Sequence, residues 1–266
     1  SVGLFAFGIV ALTGDQSGVQ VAKTQPMKLA AAEGLEKGGE GVPFSIVPGV
    51  EVPKILSILA THDINGYVPG FQDLVKGYKL PNCEIKEGVE SKMQRGKQAL
   101  ADLKQYRMLK EAGDTVAAQV AAAKLKENMD VFGYGHIKQA EDLVPPVGLT
   151  YWSFRLMIYL ACVVALVMGL FWWYGRKDQL EAKPWLLKAG MWSVLLIFIS
   201  SQAGWVVAEV GRQPWILQDM LPVNAAVSEL PVMNVVITFF LFLLIFTGLL
   251  IAEVKIMTKA IKKHQS

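Results

Sequence analysis

WLLKAGMWSVLLIFISSQAGWVVAEVG, residues 185–211, is a run of 27 residues with a lysine near its start and a glutamate near its end. A helix rises about 1.5 Å per residue, so roughly 20 residues cross a hydrocarbon core about 30 Å thick, and this run is long enough to do so. Only a helix keeps every backbone group bonded within one such segment. Two more runs have the same character: LMIYLACVVALVMGLFWWYG at 156–175 and VMNVVITFFLFLLIFTGLLIAEV at 232–254. The opening SVGLFAFGIVALTG, residues 1–14, is apolar but too short to span. With no basic segment before it and no cleavage pattern after it, it reads as the last turns of a helix of a longer protein, not as a signal peptide.

Composition agrees with a membrane protein. Of 266 residues, 53% are hydrophobic and only 18% charged, and mean hydropathy is +0.36, more apolar than an ordinary soluble domain. The net charge of +3 calls for no nucleic-acid partner. Cys83 and Cys162, one in a polar region and one in an apolar run, give no disulfide framework.

The expected class is all-α, a polytopic transmembrane bundle. Its expected parts are the end of a span at 1–14, a long loop at 15–149, spans at 150–174, 185–211 and 231–257, connections at 175–184 and 212–230, and a tail at 258–266. Arg176, Lys177 and Lys183 in one connection, and Lys255, Lys259, Lys262 and Lys263 towards the end, put those regions on the cytoplasmic side, whereas 216–230 carries no Lys or Arg. The loop 15–149 then lies outside. Within it, 90–113 and 115–135 read as a helical hairpin turning at Gly113-Asp114, and 34–53, rich in Gly and Pro, as irregular loop.

Gln202, Trp205, Glu209 and Arg212 follow one another at spacings of three, four and three, which places them on one helix face. Ionisable groups at membrane depth face a bundle interior and serve a site, a relay or one another. The plainer reading is a Glu209–Arg212 pair that anchors the helix end, with Trp205 and Trp215 at the interface. Arg155 sits near the outer end of the preceding span, where snorkelling to water accounts for it. Met157 by itself reads as packing, and Lys28 and Glu33 as a solvated helix face.

The motifs GWVVAEVGRQPW (204–215), SFRLM (153–157) and QPMKLAAAEGLE (25–36), the last following GDQSG (14–18), resemble subunit I of cytochrome bd quinol oxidase. The likeness covers essentially the whole chain as the carboxy-terminal part of that subunit. It implies that Met157 ligates the iron of a low-spin heme b opposite a histidine, with Arg155 beside that haem. It implies that Glu209 ligates the iron of a high-spin heme b, that Trp205 lies among the haems, and that Arg212 neutralises nearby carboxylates or propionates. Lys28 and Glu33 match quinol-associated positions of an outer loop of the long type. A thioether favours ferrous iron and suits an electron entry point.

The family also needs histidine ligands, including that of heme d. His62, His136 and His264 stand in the loop and the tail, so the chain is expected to be a fragment or half of a split subunit. Further expectations are a partner subunit II, the missing amino-terminal half, membrane quinol, oxygen and the bacterial inner membrane. Two alternatives remain: a non-redox transporter subunit or scaffold with an intramembrane Glu-Arg pair, and a cyanide-insensitive relative lacking heme d.

Overall fold

The computed structural model describes residues 2–228 and 230–265, with side-chain surroundings for 12–228 and 230–262. Ser1, Glu229 and Ser266, which belong to the expected first span, outer connection and tail, lie outside the described residues. Nine α-helices are described: α1 Val2–Thr24, α2 Pro26–Glu33, α3 Ile55–Thr61, α4 Phe71–Lys76, α5 Val89–Glu111, α6 Thr115–Glu127, α7 Val147–Gly175, α8 Pro184–Val210 and α9 Val232–Gln265. Among the described residues three stretches are long and apolar enough to cross a membrane: Ala140–Gly175, which ends with α7, Pro184–Val210, which is α8, and Val232–Lys262 of α9. The chain divides into two compact units, 1–226 and 227–266. The second consists mainly of α9, one continuous helix that includes residues 258–265 of the expected tail.

In the first unit, α1 continues ten residues past the apolar run and stops at Thr24. Pro26 explains the stop: its ring disfavours helical geometry at Gln25, and its missing N–H is tolerated at the first turn of α2. Gly34 then ends α2 in the left-handed conformation at φ 65°, its N–H returning to Ala30 and Ala31 carbonyls. A side chain there would be strained in that conformation, and its Cβ would stand 3.2 Å from the Tyr151 ring.

The stretch 34–53 is not irregular throughout. Phe44–Val47 and Val50–Val52 pair as an antiparallel hairpin, and Gly39–Glu40 pairs with Tyr67–Val68. Strands of two to four residues are too short to display an alternating pattern. The helical hairpin forms as α5 and α6, with the Asp114 side chain accepting from Ala117 N at 3.0 Å as the cap of α6. The second arm ends at Glu127, earlier than its apolar spacing implies, and Met129–His136 is a 3-10 segment. That segment packs on α5 where Gly96 and Gly135 meet, so a Cβ at Gly96 would lie 2.4 Å from Gly135 N.

α7 and α8 form an antiparallel pair. Small residues on α8 let the two approach, as expected where lipid supplies no hydrophobic drive between helices. A Cβ at Gly190 would lie 2.7 Å from the Phe171 ring, and one at Gly204 would lie 3.2 Å from Met157 Sδ. Ala203 and Val207 are buried on this seam, while Gln202 and Trp205 point away from it.

Gly96→Ala is expected to lower the stability of the loop by about 1–3 kcal/mol, the usual cost of overpacking. Gly148→Ala, where a Cβ meets nothing within 4 Å, serves as a neutral control. Thermal unfolding of the two variants side by side checks this.

Candidate functional site at the ends of α7 and α8

Helix α2 lies across the ends of α7 and α8 and touches both. Near its start, Lys28 Nζ donates to the Ala208 carbonyl at 3.3 Å, close to the end of α8. Five residues later Glu33 meets Arg155 of α7, with 2.7 Å between Oε2 and Nη2. The other guanidinium nitrogen, Nη1, donates to the Ala32 carbonyl at 2.7 Å. Gly211 makes room for this arrangement, because a Cβ there would come within 3.0 Å of Lys28 Cγ and 3.3 Å of Thr150 Cγ2.

Arg155 is 0% exposed and Glu33 is 7% exposed, which rules out the plainer reading of each. Arg155 does not snorkel, since its charge is met by Glu33 from 122 residues away in the chain. Nor are Lys28 and Glu33 a solvated face, for Lys28 is half-buried against α8. An isolated ion would be prohibitive at either place, whereas a bonded pair is tolerated.

Three rings surround the guanidinium: Tyr151 at 4.2 Å, Phe44 at 5.3 Å and Phe154 at 5.3 Å from its carbon to the ring centroids. Phe44 comes from the hairpin 44–52, which covers the pair from the loop side. The Ser45 backbone donates to Glu33, Ser45 Oγ and Tyr151 Oη lie 3.2 Å apart, and Tyr159 Oη donates to the Ile46 carbonyl. Sequence reading missed this hairpin and its partners. The signal available was Tyr151, Arg155 and Tyr159 at intervals of four, a cation between two aromatics on one helix face.

Burial pushes the Glu33 carboxyl above its ordinary value, against the opposing pull of Arg155 and the Ser45 N–H. Geometry and solvation thus compete within one pair, and loss of water is the larger effect. Burial likewise pulls the Lys28 ammonium down, with Arg212 adding repulsion and Glu209 opposing it.

On α8, Arg212 Nη2 bonds Glu209 Oε2 at 2.7 Å, the pairing an anchored helix end makes. The second Glu209 oxygen has no hydrogen bond among the described residues, and the side chain is 51% exposed. Trp205, one turn earlier, is 62% exposed. Met157 lies against Gly204, and its carbonyl accepts from Ser200 Oγ at 3.1 Å. The arrangement therefore joins Lys28 to the Glu209–Arg212 turn and Glu33 to Arg155, two residues from Met157.

These positions suit haem on chemical grounds. Glu209 offers an oxygen unclaimed by the protein, Met157 offers a thioether beside a glycine, and Arg155 Nε is buried without a hydrogen-bond partner, free to take an acceptor from a bound group. No set of three or more His, Cys, Asp or Glu converges among the described residues. His62 instead pairs with Asp15 of α1 at 3.0 Å. A separate cavity of about 390 Å³ opens beside Met27, Lys23, Lys92, Tyr134, Trp215 and Asp219. There Tyr134 Oη donates to Asp219 at 2.6 Å, and burial with that carboxylate pushes the phenol up.

The fold and these side chains define an all-helical integral membrane protein with ionic and thioether groups gathered at one end of a helix pair. The chain belongs to the cytochrome bd terminal oxidase subunit I family, whose model matches residues 1–265. It is similar to cytochrome bd-II ubiquinol oxidase subunit 1 of Escherichia coli (strain K12), 29% identical over 272 residues, covering 95% of this chain and 52% of that protein. Similarity to cytochrome bd ubiquinol oxidase subunit 1 of Bacillus subtilis (strain 168) is 26% over 239 residues, covering 85% and 39% respectively. The chain thus spans about half the length of these curated relatives, or less. The bd oxidase structure from Geobacillus thermodenitrificans shares the fold, with a TM-score of 0.54 and 24% identity over 95% of this chain and 45% of that one. Membership of a cytochrome family makes haem the cofactor class, and with the three apolar helices it makes the chain an inner-membrane protein.

A group whose folded pKa is raised contributes stability that is complete below its unfolded pKa and is lost as pH rises through the folded value. The Glu33-dependent part of thermal stability is therefore expected to decline from pH 4 towards neutrality, and to vanish in Glu33→Gln. Melting curves across that range, compared between the two proteins, measure it; a part that grows with pH would show that Arg155 dominates.

Proposed function

We propose that this chain forms the carboxy-terminal part of subunit I of a bd-type terminal oxidase, which passes electrons from membrane quinol through haems to oxygen. Support comes from one observation above the rest: α2, the helix matching the family's quinol-associated motif, touches through Lys28 and Glu33 the two helices that carry Glu209 and Met157. Substrate end and cofactor end are thereby one assembly.

In this reading Met157 ligates a low-spin b haem, Glu209 a high-spin b haem, and histidines outside this chain complete the low-spin and d haems. When bound, the haems supply one-electron carriers and the centre at which oxygen is reduced to water. This chain's residues do the rest. Lys28 holds a quinol oxygen, and Glu33, its carboxyl already raised by burial, accepts a quinol proton. Arg155 supplies a fixed positive charge near Met157, Trp205 provides a ring beside the haems, and Arg212 holds Glu209 in place. An exposed carboxylate and indole on α8 suit contact with a bound group and with further protein.

The basic 175–184 connection and the lysines after residue 254 belong on the cytoplasmic side and the loop 15–149 on the outer side, by the Lys and Arg asymmetry. Quinol protons then leave outward, and protons for water formation enter from the cytoplasm, which makes turnover electrogenic. Subunit II and the amino-terminal half of subunit I are the partners.

Met157→Leu in the complete complex is expected to remove the low-spin haem band from reduced-minus-oxidised spectra. Glu209→Ala is expected to perturb the high-spin haem signal and leave the low-spin band in place. Unchanged spectra in both variants would exclude the ligand assignment and favour a structural Glu209–Arg212 pair.

A further inference from the structure

We infer that the Glu33–Arg155 pair couples the charge on the loop carboxyl to the potential of the redox centre held by Met157. The inference rests on the reading above that Met157 ligates haem iron. A guanidinium is a permanent cation, and burial of Arg155 removes the water that would screen it. Among the described residues, Glu33 is the carboxylate paired with it. The pair is thus neutral when Glu33 is ionised and carries a full positive charge when Glu33 is protonated. Arg155 and Met157 stand two residues apart on α7, so their side chains leave the helix on different faces. The influence is therefore that of a field, not of contact.

Among the described residues, Arg155 is the charged group that acts on Glu33. From α7 come the Arg155 guanidinium and the Tyr151 phenol; from the hairpin come the Ser45 N–H and the Phe44 ring. From α4, Gln72 bonds Glu36 and not Glu33. On α2 itself Lys28 is engaged with α8.

Quinol oxidation would work this device in a balanced step. A quinol O–H bond breaks, its proton forms an O–H bond on Glu33 directly or through one water, and one electron leaves the quinol. The redox centre that Met157 would hold would supply the acceptor for that electron. Glu33 is then neutral, and the uncancelled Arg155 charge would favour the reduced form of a centre held at Met157. Release of the proton restores the carboxylate and lowers the potential, which favours onward transfer. Proton and electron are thereby accepted together and given up together.

Potentiometric titration of the low-spin haem in the complete complex, from pH 5 to pH 9, tests this. The wild-type midpoint is expected to fall as pH rises. Glu33→Gln is expected to remain at the high, acid-side value throughout. At alkaline pH its oxidised-to-reduced ratio at fixed potential would then differ about tenfold from wild type, equivalent to ~59 mV for one electron. Glu33→Asp, which keeps an acid, is expected to retain the slope. A midpoint in Glu33→Gln equal to wild type at every pH, with the low-spin band intact, overturns the inference; so does a flat wild-type midpoint if Glu33→Gln fails to assemble. Survival of the low-spin band in Met157→Leu is a different failure, that of the ligand reading.

Discussion

The contact between Arg155 and Glu33 organises much of the first unit. A guanidinium with no exposed surface on a membrane helix needs an anion, and the anion comes from a short helix 122 residues earlier. Leaving either partner alone would strand a buried charge, a far larger penalty than the modest net worth of the pair. Helix α2 is consequently held against α7. Its other charged side chain, Lys28, then reaches the end of α8. The hairpin 44–52 closes over the pair because Phe44 and Ser45 find the guanidinium ring cage and the carboxylate there. Loop and membrane helices are thus registered by one interaction and its surroundings.

The second organising constraint is the division of α8 into two faces. Gly190, Ala203, Gly204 and Val207 face α7 and allow close approach, whereas Gln202, Trp205 and Glu209 face away. Lipid gives an indole or carboxylate at depth little reason to be there, so an outward polar stripe on a membrane helix implies something polar or metallic beyond it. In the proposed function that is haem, held by a chain that spans about half the length of a curated relative. Glu209 needs Arg212 for company when ionised, yet keeps one oxygen available. A carboxylate arranged in this way can serve as anchor and ligand at once.

Legibility in the sequence varied with the range of the interaction. The spans at 156–175, 185–211 and 232–254 could be read because hydropathy and length are properties of contiguous residues. The turn at Gly113-Asp114 was readable for the same reason, since a cap acts within three residues. Short strands at 39–40, 44–47 and 50–52 were not, because they exist only as pairs. Helix α1 outran its apolar stretch, since Pro26 and not polarity ends it. The plainer reading of Arg155, as reaching for water, failed because nothing near it in the chain names Glu33 as its partner.

What the sequence determined by itself was the membrane-spanning helical class, the polar stripe on α8 and the motifs of an oxidase subunit. All are local patterns, set by helix period and by the cost of bare backbone in lipid. Only the tertiary structure decided that Arg155 is enclosed, that Glu33 and Lys28 turn inward to separate helices, and that the hairpin 44–52 seals the pair. Those outcomes depend on desolvation, and desolvation is a property of which distant segments meet, a fact no window of residues contains.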